Sequence, residues 1–269
     1  MLEFEKANQA MFGTIATPIP GKSRTVIIDY GPDYMGWTGQ SGIADLLDAA
    51  SDYISAAKIW TMNAILLKDS YLKGVVERYT KAGVPTFAGG LLFEYAYLKN
   101  DLDGLLARLK SLGLKGLEIS ENYAALDEDT RLRSIERFSK AGIEIVYEFG
   151  RKHPETPLEI EELARIVKSV QAAGASHVIL EQGELDQLRE SAPDRLAALV
   201  KEPWFSDIDI EIDQTRCPAI LGEVVAAFGP TVNLANVPPG CVIRLEGFRR
   251  GLGRSLDFPL FRHLVSQGR

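Results

Sequence analysis

Chemistry first shows in the stretch Ile143 to Lys152, Ile-Glu-Ile-Val-Tyr-Glu-Phe-Gly-Arg-Lys. Side chains alternate along a strand, so Ile143, Ile145, Tyr147 and Phe149 share one face and Glu144, Val146 and Glu148 the other. A carboxylate at a strand's C-terminal end, followed at once by Gly150, Arg151 and Lys152, suits acid–base or metal chemistry. A surface strand with a wet face is the plain alternative. Repetition weighs for the first: Asp29, Lys58, Glu118, Glu181 and Glu211 each stand in or at the end of a similar short apolar run, and Asn233 sits in another. Buried charges are costly unless paired or bound to a metal. Hard carboxylate oxygens favour magnesium over zinc. Glu211 and its neighbour Asp209 also read as solvated groups, or as braces for Lys58.

Two further stretches suit ligand binding. Gly89-Gly90 permits close backbone approach to a ligand, or makes a tight turn. Asn236, with a helix beginning near Pro238-Pro239, presents free amides to a phosphate. Arg249 and Arg250 fall near that helix's C-terminal end, where they offset its dipole or pair across subunits.

Strand and helix patterns alternate along the chain. Strands are predicted at Thr25–Asp29, Ser55–Trp60, Val84–Phe87, Lys115–Ile119, Ile143–Phe149, His177–Glu181, Ile208–Ile212 and Thr231–Asn236. Helical periodicity fills the intervals, and Gly83, Gly113, Gly142 and Gly174 suit helix ends. Eight such units without a shift in composition predict an α/β fold, a single (β/α)8 TIM barrel over 1–269. Residues 1–23 read as irregular and 255–269 as a tail. A doubly wound open sheet is the other arrangement; no Gly-rich phosphate loop follows the first strand, which weakens it.

In a barrel one face of each strand points inside. Alternation then sends Val26 and Ile28 outward and Asp29, Lys58, Glu118, Glu148, Glu181, Glu211 and Asn233 inward.

Composition narrows the function classes. With 269 residues, 46% hydrophobic and 25% charged, the chain reads as globular. Its net charge of −7 and lack of a long basic block argue against nucleic acid, whose binding rests on phosphate neutralisation. No apolar run approaches the ~20 residues of a membrane span. Cys217 and Cys241 lack metal-site spacing, and a reducing cytoplasm fits. Three scattered histidines support neither a His-rich metal site nor a Ser-His-Asp triad.

At these residues the chain resembles the phosphosulfolactate synthase family. Gly89-Gly-Leu-Leu-Phe-Glu-Tyr-Ala-Tyr97 is similar to the family's GGTLFEYAY, Leu117-Glu-Ile-Ser120 to its VEIS, and Glu148-Phe-Gly-Arg-Lys152 to its EVGKK. The span from Phe228 to Leu252 resembles its FG-x-x-VNLANI and VISLETLRRGL. The resemblance implies a magnesium-dependent, oligomeric barrel lyase that adds sulfite to phosphoenolpyruvate. Sulfite attacks the methylene carbon, an aci-carboxylate forms, and a lysine protonates C2. It implies Lys152 as that acid and Lys58 as a second lysine holding the anionic substrate. The metal is expected at Asp29, Glu118, Glu148 and Glu181, and the small anionic substrate against Gly89, Gly90, Arg151, Asn233 and Asn236. The chain departs from the family where Asp29-Tyr30-Gly31 replaces a DKG, Leu91 a threonine, and Glu181-Gln-Gly-Glu184 a stretch with an arginine. Sulfite addition, the same enolate chemistry on another carboxylate, and a non-catalytic stress-related or partner-binding barrel are the readings this leaves. An unrelated phosphate-binding isomerase or aldolase fits the Asn233–Leu252 segment least.

Overall fold

The computed structural model describes residues 23–32, 39–60, 63–254 and 257–267. Eight strands form where apolar runs are bounded by glycine, proline or polar turns. They are β1 (Thr25–Asp29), β2 (Ala56–Ile59), β3 (Thr86–Ala88), β4 (Gly116–Ile119), β5 (Glu144–Phe149), β6 (Ala175–Leu180), β7 (Ile208–Glu211) and β8 (Leu234–Val237). They pair in sequence order into a closed parallel barrel. β8 returns to β1 with Thr25 opposite Leu234 and Ile27 opposite Val237. Helices lie outside, and most bury one stripe against the strands. In Ile160–Ala172 that stripe is Leu163, Ile166, Val167 and Val170, the spacing of one helical face. The predicted (β/α)8 barrel is therefore the observed fold. No helix among the described residues is long and apolar enough to cross a membrane.

Two apolar cores result. The larger lies between strands and helices. The smaller, Val26, Ala56, Phe87, Val146, Ile179 and Ala235, plugs the barrel interior. With its middle dry, the barrel can hold inward charges only at its two ends.

Several boundaries and faces differ from the sequence expectations. β8 begins at Leu234 rather than Thr231. The residues before it form an entry turn in which Asn233 Nδ2 donates to the carbonyls of Ser206 and Ile208, while its Oδ1 accepts from the Arg24 amide. The tail contains a helix, Pro259–Ser266. The segment predicted as irregular, 1–23, lies outside the described residues except for Ser23. β1 faces the other way: Val26 joins the interior plug and Asp29 points out to the helix Asp69–Lys81, where Tyr79 Oη donates to its Oδ2 at 2.8 Å. Val26, Ile27 and Ile28 are all apolar, so alternation alone could not set the face; the buried tyrosine hydroxyl does.

Arg249 is not a surface group that offsets a dipole. It is buried, and its guanidinium donates to Thr25 Oγ1 (2.6 Å), Arg24 O (3.0 Å) and Val232 O (2.9 Å). It thus ties the last helix of the barrel to the junction of β1 and β8. Arg250 instead pairs with Glu246 one turn back at 2.6 Å.

The bottom of the barrel holds Asp209. Arg24 reaches its Oδ2 at 3.2 Å, yet neither carboxylate oxygen has a hydrogen bond. Burial pushes its pKa up to about 6 against the pull of Arg24. In the unfolded chain it titrates near 4. The folded protein therefore retains this proton between those pH values, and stability falls as pH rises through them. The loss is up to about 3 kcal/mol. Asp209→Asn should remove this component, so denaturant midpoints of variant and parent diverge from pH 4 to 7 in the variant's favour. Parallel pH profiles would refute the assignment.

Candidate active site

At the C-terminal end of the strands, a cavity of about 750 Å³ opens to solvent. This is the end where barrel enzymes place their chemistry, because each strand there delivers a side chain and a loop. Lys58 from β2, Glu118 from β4, Glu148 from β5 and Glu211 from β7 point in, joined by Glu181 directly after β6 and Lys152 from the loop after β5.

Lys58 Nζ lies 2.8 Å from Glu118 Oε2, 3.6 Å from Glu148 Oε2 and 3.9 Å from Glu211 Oε2. Lys152 Nζ reaches Glu181 Oε2 at 3.1 Å and Glu211 Oε1 at 3.4 Å. Glu211 thus stands between the two ammonium groups. Burial alone would lower Lys58, but Glu118, Glu148 and Glu211 together hold it above the ordinary lysine range. Lys152 is raised likewise: burial pulls down, and Glu211, Glu181 and Glu148 pull up more strongly. Both lysines are cations at neutral pH.

The carboxylates divide. Burial drives Glu118 up to about 7 despite Lys58, with Glu148 adding to the rise. Burial and Glu148 also raise Glu211 well above the glutamate value. Glu181 rises for the same two reasons. For Glu148 burial is overcome by Lys58 and Lys152, assisted by the Asn122 amide that donates to Oε1 at 2.9 Å, and its pKa is lowered.

A divalent cation fits here. Glu148, Glu181 and Glu211 each offer an oxygen, all within 4.8 Å of one another, and Glu211 Oε2 is buried without a hydrogen bond. All three donors are hard oxygens. A magnesium ion with bonds of ~2.1 Å needs its ligand oxygens ~3–4 Å apart. Four carboxylates face only two lysines in this cluster, so a double positive charge would balance it.

The expected site residues therefore separate. Lys58, Lys152, Glu118, Glu148 and Glu181 come together as expected. Asn236 also lines the cavity, as does Gly90. Asp29 does not, because β1 turns it outward. Glu211, whose parity pointed it inward and which was also read as a brace or a solvated group, stands in the cluster instead. Asn233 sits at the opposite end of the barrel, holding the entry of β8. Arg151 is exposed and outside the cavity lining, and Gly89 lies behind it, its amide donating to Ile59 O. Glu118 belongs to Lys58 and to the Gly90 amide, which donates to its Oε1 at 2.8 Å. A Cβ on Gly90 would lie 2.7 Å from Ser120 Cβ. The close approach predicted there is to the protein's own wall.

Comparison with known proteins accords with this geometry. The family model described as (2R)-phospho-3-sulfolactate synthase matches residues 20–254. The chain belongs to that family. Phosphosulfolactate synthase of Methanothermobacter thermautotrophicus is 30% identical over 253 residues, 90% of this chain and 95% of the relative. That of Methanocaldococcus jannaschii is 30% identical over 240 residues, 85% and 91% of the two chains. Among solved structures, HMG-CoA lyase of Bacillus subtilis shares the fold with a TM-score of 0.54 at 12% identity, over 90% of this chain and 91% of its own. Membership in the phosphosulfolactate synthase family makes this a lyase-type enzyme.

Sequence reasoning missed the groups that position this site. Glu94, buried in helix Leu91–Leu98, accepts from Ser120 Oγ (2.5 Å) and from the amides of Asn122 (3.0 Å), Tyr123 (2.7 Å) and Ala124 (2.8 Å). It moulds the loop after β4 and so aims Asn122 at Glu148. An acid inside the apolar Leu-Phe-Glu-Tyr-Ala run was the available signal. Gly183 lets the Lys152 loop close: a Cβ there would lie 2.6 Å from Arg151 O, and Glu184 accepts the Arg151 amide at 2.9 Å. Glu94→Gln should destabilise the protein by about 2–3 kcal/mol, since it removes charge from a carboxylate that satisfies buried donors. The exposed Glu77→Gln serves as control and should leave the denaturation midpoint unmoved. An equal response in both variants would sink the loop-moulding role.

Proposed function

We propose that this protein forms or breaks a bond at the carbon β to a carboxylate, adding sulfite to an unsaturated three-carbon acid. Phosphoenolpyruvate is the acceptor that the family resemblance suggests. In this reading the sulfur lone pair bonds to C3, and the π electrons move through C2 into the carboxylate as an aci-carboxylate. The Lys152 ammonium then gives a proton to C2. Magnesium held by Glu148, Glu181 and Glu211 would supply positive charge where the carboxylate becomes dianionic. Lys58 is fixed by Glu118 behind these oxygens and keeps the floor of the site cationic. Asn122 orients Glu148. The apolar plug below excludes water from the reacting face.

What supports this most is the convergence of Lys152 with Glu181 and Glu211, which puts a proton donor beside hard oxygen ligands in one mouth. The reverse step gives the test. In deuterium oxide with magnesium, the C2 hydrogen of 3-sulfopropanoates carrying a 2-hydroxy, 2-amino or 2-phospho group is followed by NMR. Exchange with at least one of them, abolished by a chelator, is expected. No exchange with any of the three would end the reading.

A further inference from the structure

The four inward glutamates stand in or directly after β4 to β7. Across the mouth from them, above Lys58, the described cavity wall that follows β1 and β2 is made of Tyr30 and Trp60, which carry no charge. The two rings lie against each other, with centroids 5.3 Å apart and planes at 53°. The Trp60 amide donates to Asp29 O at 2.9 Å, which fixes the pair side by side on neighbouring strands. Each residue brings an apolar ring and one polar tip.

Those tips are unclaimed. Tyr30 Oη and Trp60 Nε1 have no hydrogen-bond partner among the described residues. Nor are they sealed from solvent, as the unpaired oxygens Gln182 Oε1 and Asn236 Oδ1 are. Lys58, Lys152, the Gly90 amide and Asn122 Nδ2, by contrast, already serve the glutamates. Half-buried Gln214, after β7, and exposed His153, beside Lys152, bring further N–H groups to the same mouth. Burial holds the Tyr30 hydroxyl above the ordinary tyrosine range, so it stays protonated and donates. Lys58 and Lys152 are among the charges it feels, with Glu211 opposing them. An oxyanion brings acceptors and negative charge. Against this hydroxyl it meets a free donor in the field of two ammonium groups, and magnesium on Glu211 would offset the one opposing carboxylate.

We propose that Tyr30 Oη and Trp60 Nε1 form a neutral-donor subsite for an oxyanion, either the phosphate of the acceptor or the sulfite that attacks it, across the mouth from the metal-binding carboxylates. The roles of the two anions rest on the function proposed above; the place rests on the two rings. Sulfite held by its oxygens keeps its sulfur lone pair free to bond C3. A phosphate held there leaves the carboxylate of the same molecule to magnesium. Tyr30 stands where the chain departs from the family's DKG, so this donor is not one that the family resemblance supplies.

Calorimetric titration of sulfite and of inorganic phosphate into the magnesium-loaded protein tests this. Tyr30→Phe and Trp60→Phe each keep an aromatic ring and delete one donor. At least one of the two anions should bind the parent and lose about tenfold in affinity in each variant, the loss expected for a hydrogen bond to a charged group. Loss for sulfite alone assigns the subsite to the nucleophile, loss for phosphate alone to the ester, and loss for both to either anion. Failure of both anions to bind the parent overturns the inference, as does unchanged affinity for both in either variant. The Tyr30 hydroxyl has no protein partner, so Tyr30→Phe should leave the denaturant midpoint in place. A midpoint lowered along with the affinity would assign the loss to structure and overturn the role. Binding and C2 exchange separate the two ideas. The expected losses in a protein whose parent shows no exchange remove the enolate reading and leave the subsite. Exchange in the parent, with anion affinity unchanged in the variants, removes only the subsite.

Discussion

Lys152→Arg should cut turnover by about two to four orders of magnitude while the protein stays folded. An arginine keeps the positive charge and can reach Glu181 and Glu211, but its guanidinium does not release a proton at any pH where the fold persists. Lys152 is half exposed, so its replacement leaves little buried charge behind. Loss of a positioned proton donor lowers the rate by about 10²–10⁴-fold. Solvent-deuterium exchange at C2 reads this step directly, and the denaturant midpoint should shift by less than about 1 kcal/mol. Lys152→Ala should match it in rate and lose the ion pairs as well. Wild-type exchange in the arginine variant would remove Lys152 as the acid and leave it a counter-ion.

Lys58 should behave in the opposite way. It is 6% exposed and faces three buried carboxylates. Lys58→Met strands those charges, at a cost of about 3–5 kcal/mol near neutral pH. The pH dependence has a definite sign. Glu118 already titrates near 7 in the folded protein, and loss of its ammonium partner raises it further. A raised carboxyl contributes stability that is present below its unfolded pKa and lost as pH rises through the folded one. The deficit of Lys58→Met should therefore be small near pH 4.5 and grow towards pH 8. Millimolar magnesium should recover part of it at pH 8, because binding to the native state alone is stabilising. Denaturant titrations at the two pH values, with and without magnesium, measure this. A deficit independent of pH would mean that Lys58 serves packing rather than charge.

Much of this architecture was legible in the sequence. Alternation identified the inward parity of Lys58, Glu118, Glu148, Glu181 and Glu211, because in those strands a charged residue interrupts apolar neighbours. Where the run was apolar throughout, as in Val26-Ile27-Ile28, parity carried no information and Asp29 was assigned to the wrong side. Height along the barrel was harder still. Asn233 and Asp209 have inward parity, yet lie at the bottom, because β8 starts late and β7 admits two inward residues at different levels. Glu94 escaped notice because its partners are backbone amides, which sequence does not mark. That Glu211 rather than Glu118 stands close to both Glu148 and Glu181 follows from the Gly90 amide and Lys58 holding Glu118, which the sequence does not mark.

The tie made by Arg249 also bears on how the chain is made. Its three acceptors belong to Arg24, Thr25 and Val232, at the two ends of the sheet, while the arginine itself lies far along the chain. A nascent polypeptide that has not yet emerged past the final barrel helix has two unzipped borders with bare amides and carbonyls. Such borders invite pairing with a neighbouring ribosome's product. The ring therefore closes stably only once Arg249 has been made, and premature stop codons upstream of Arg249 should yield inclusion bodies rather than a shortened soluble protein.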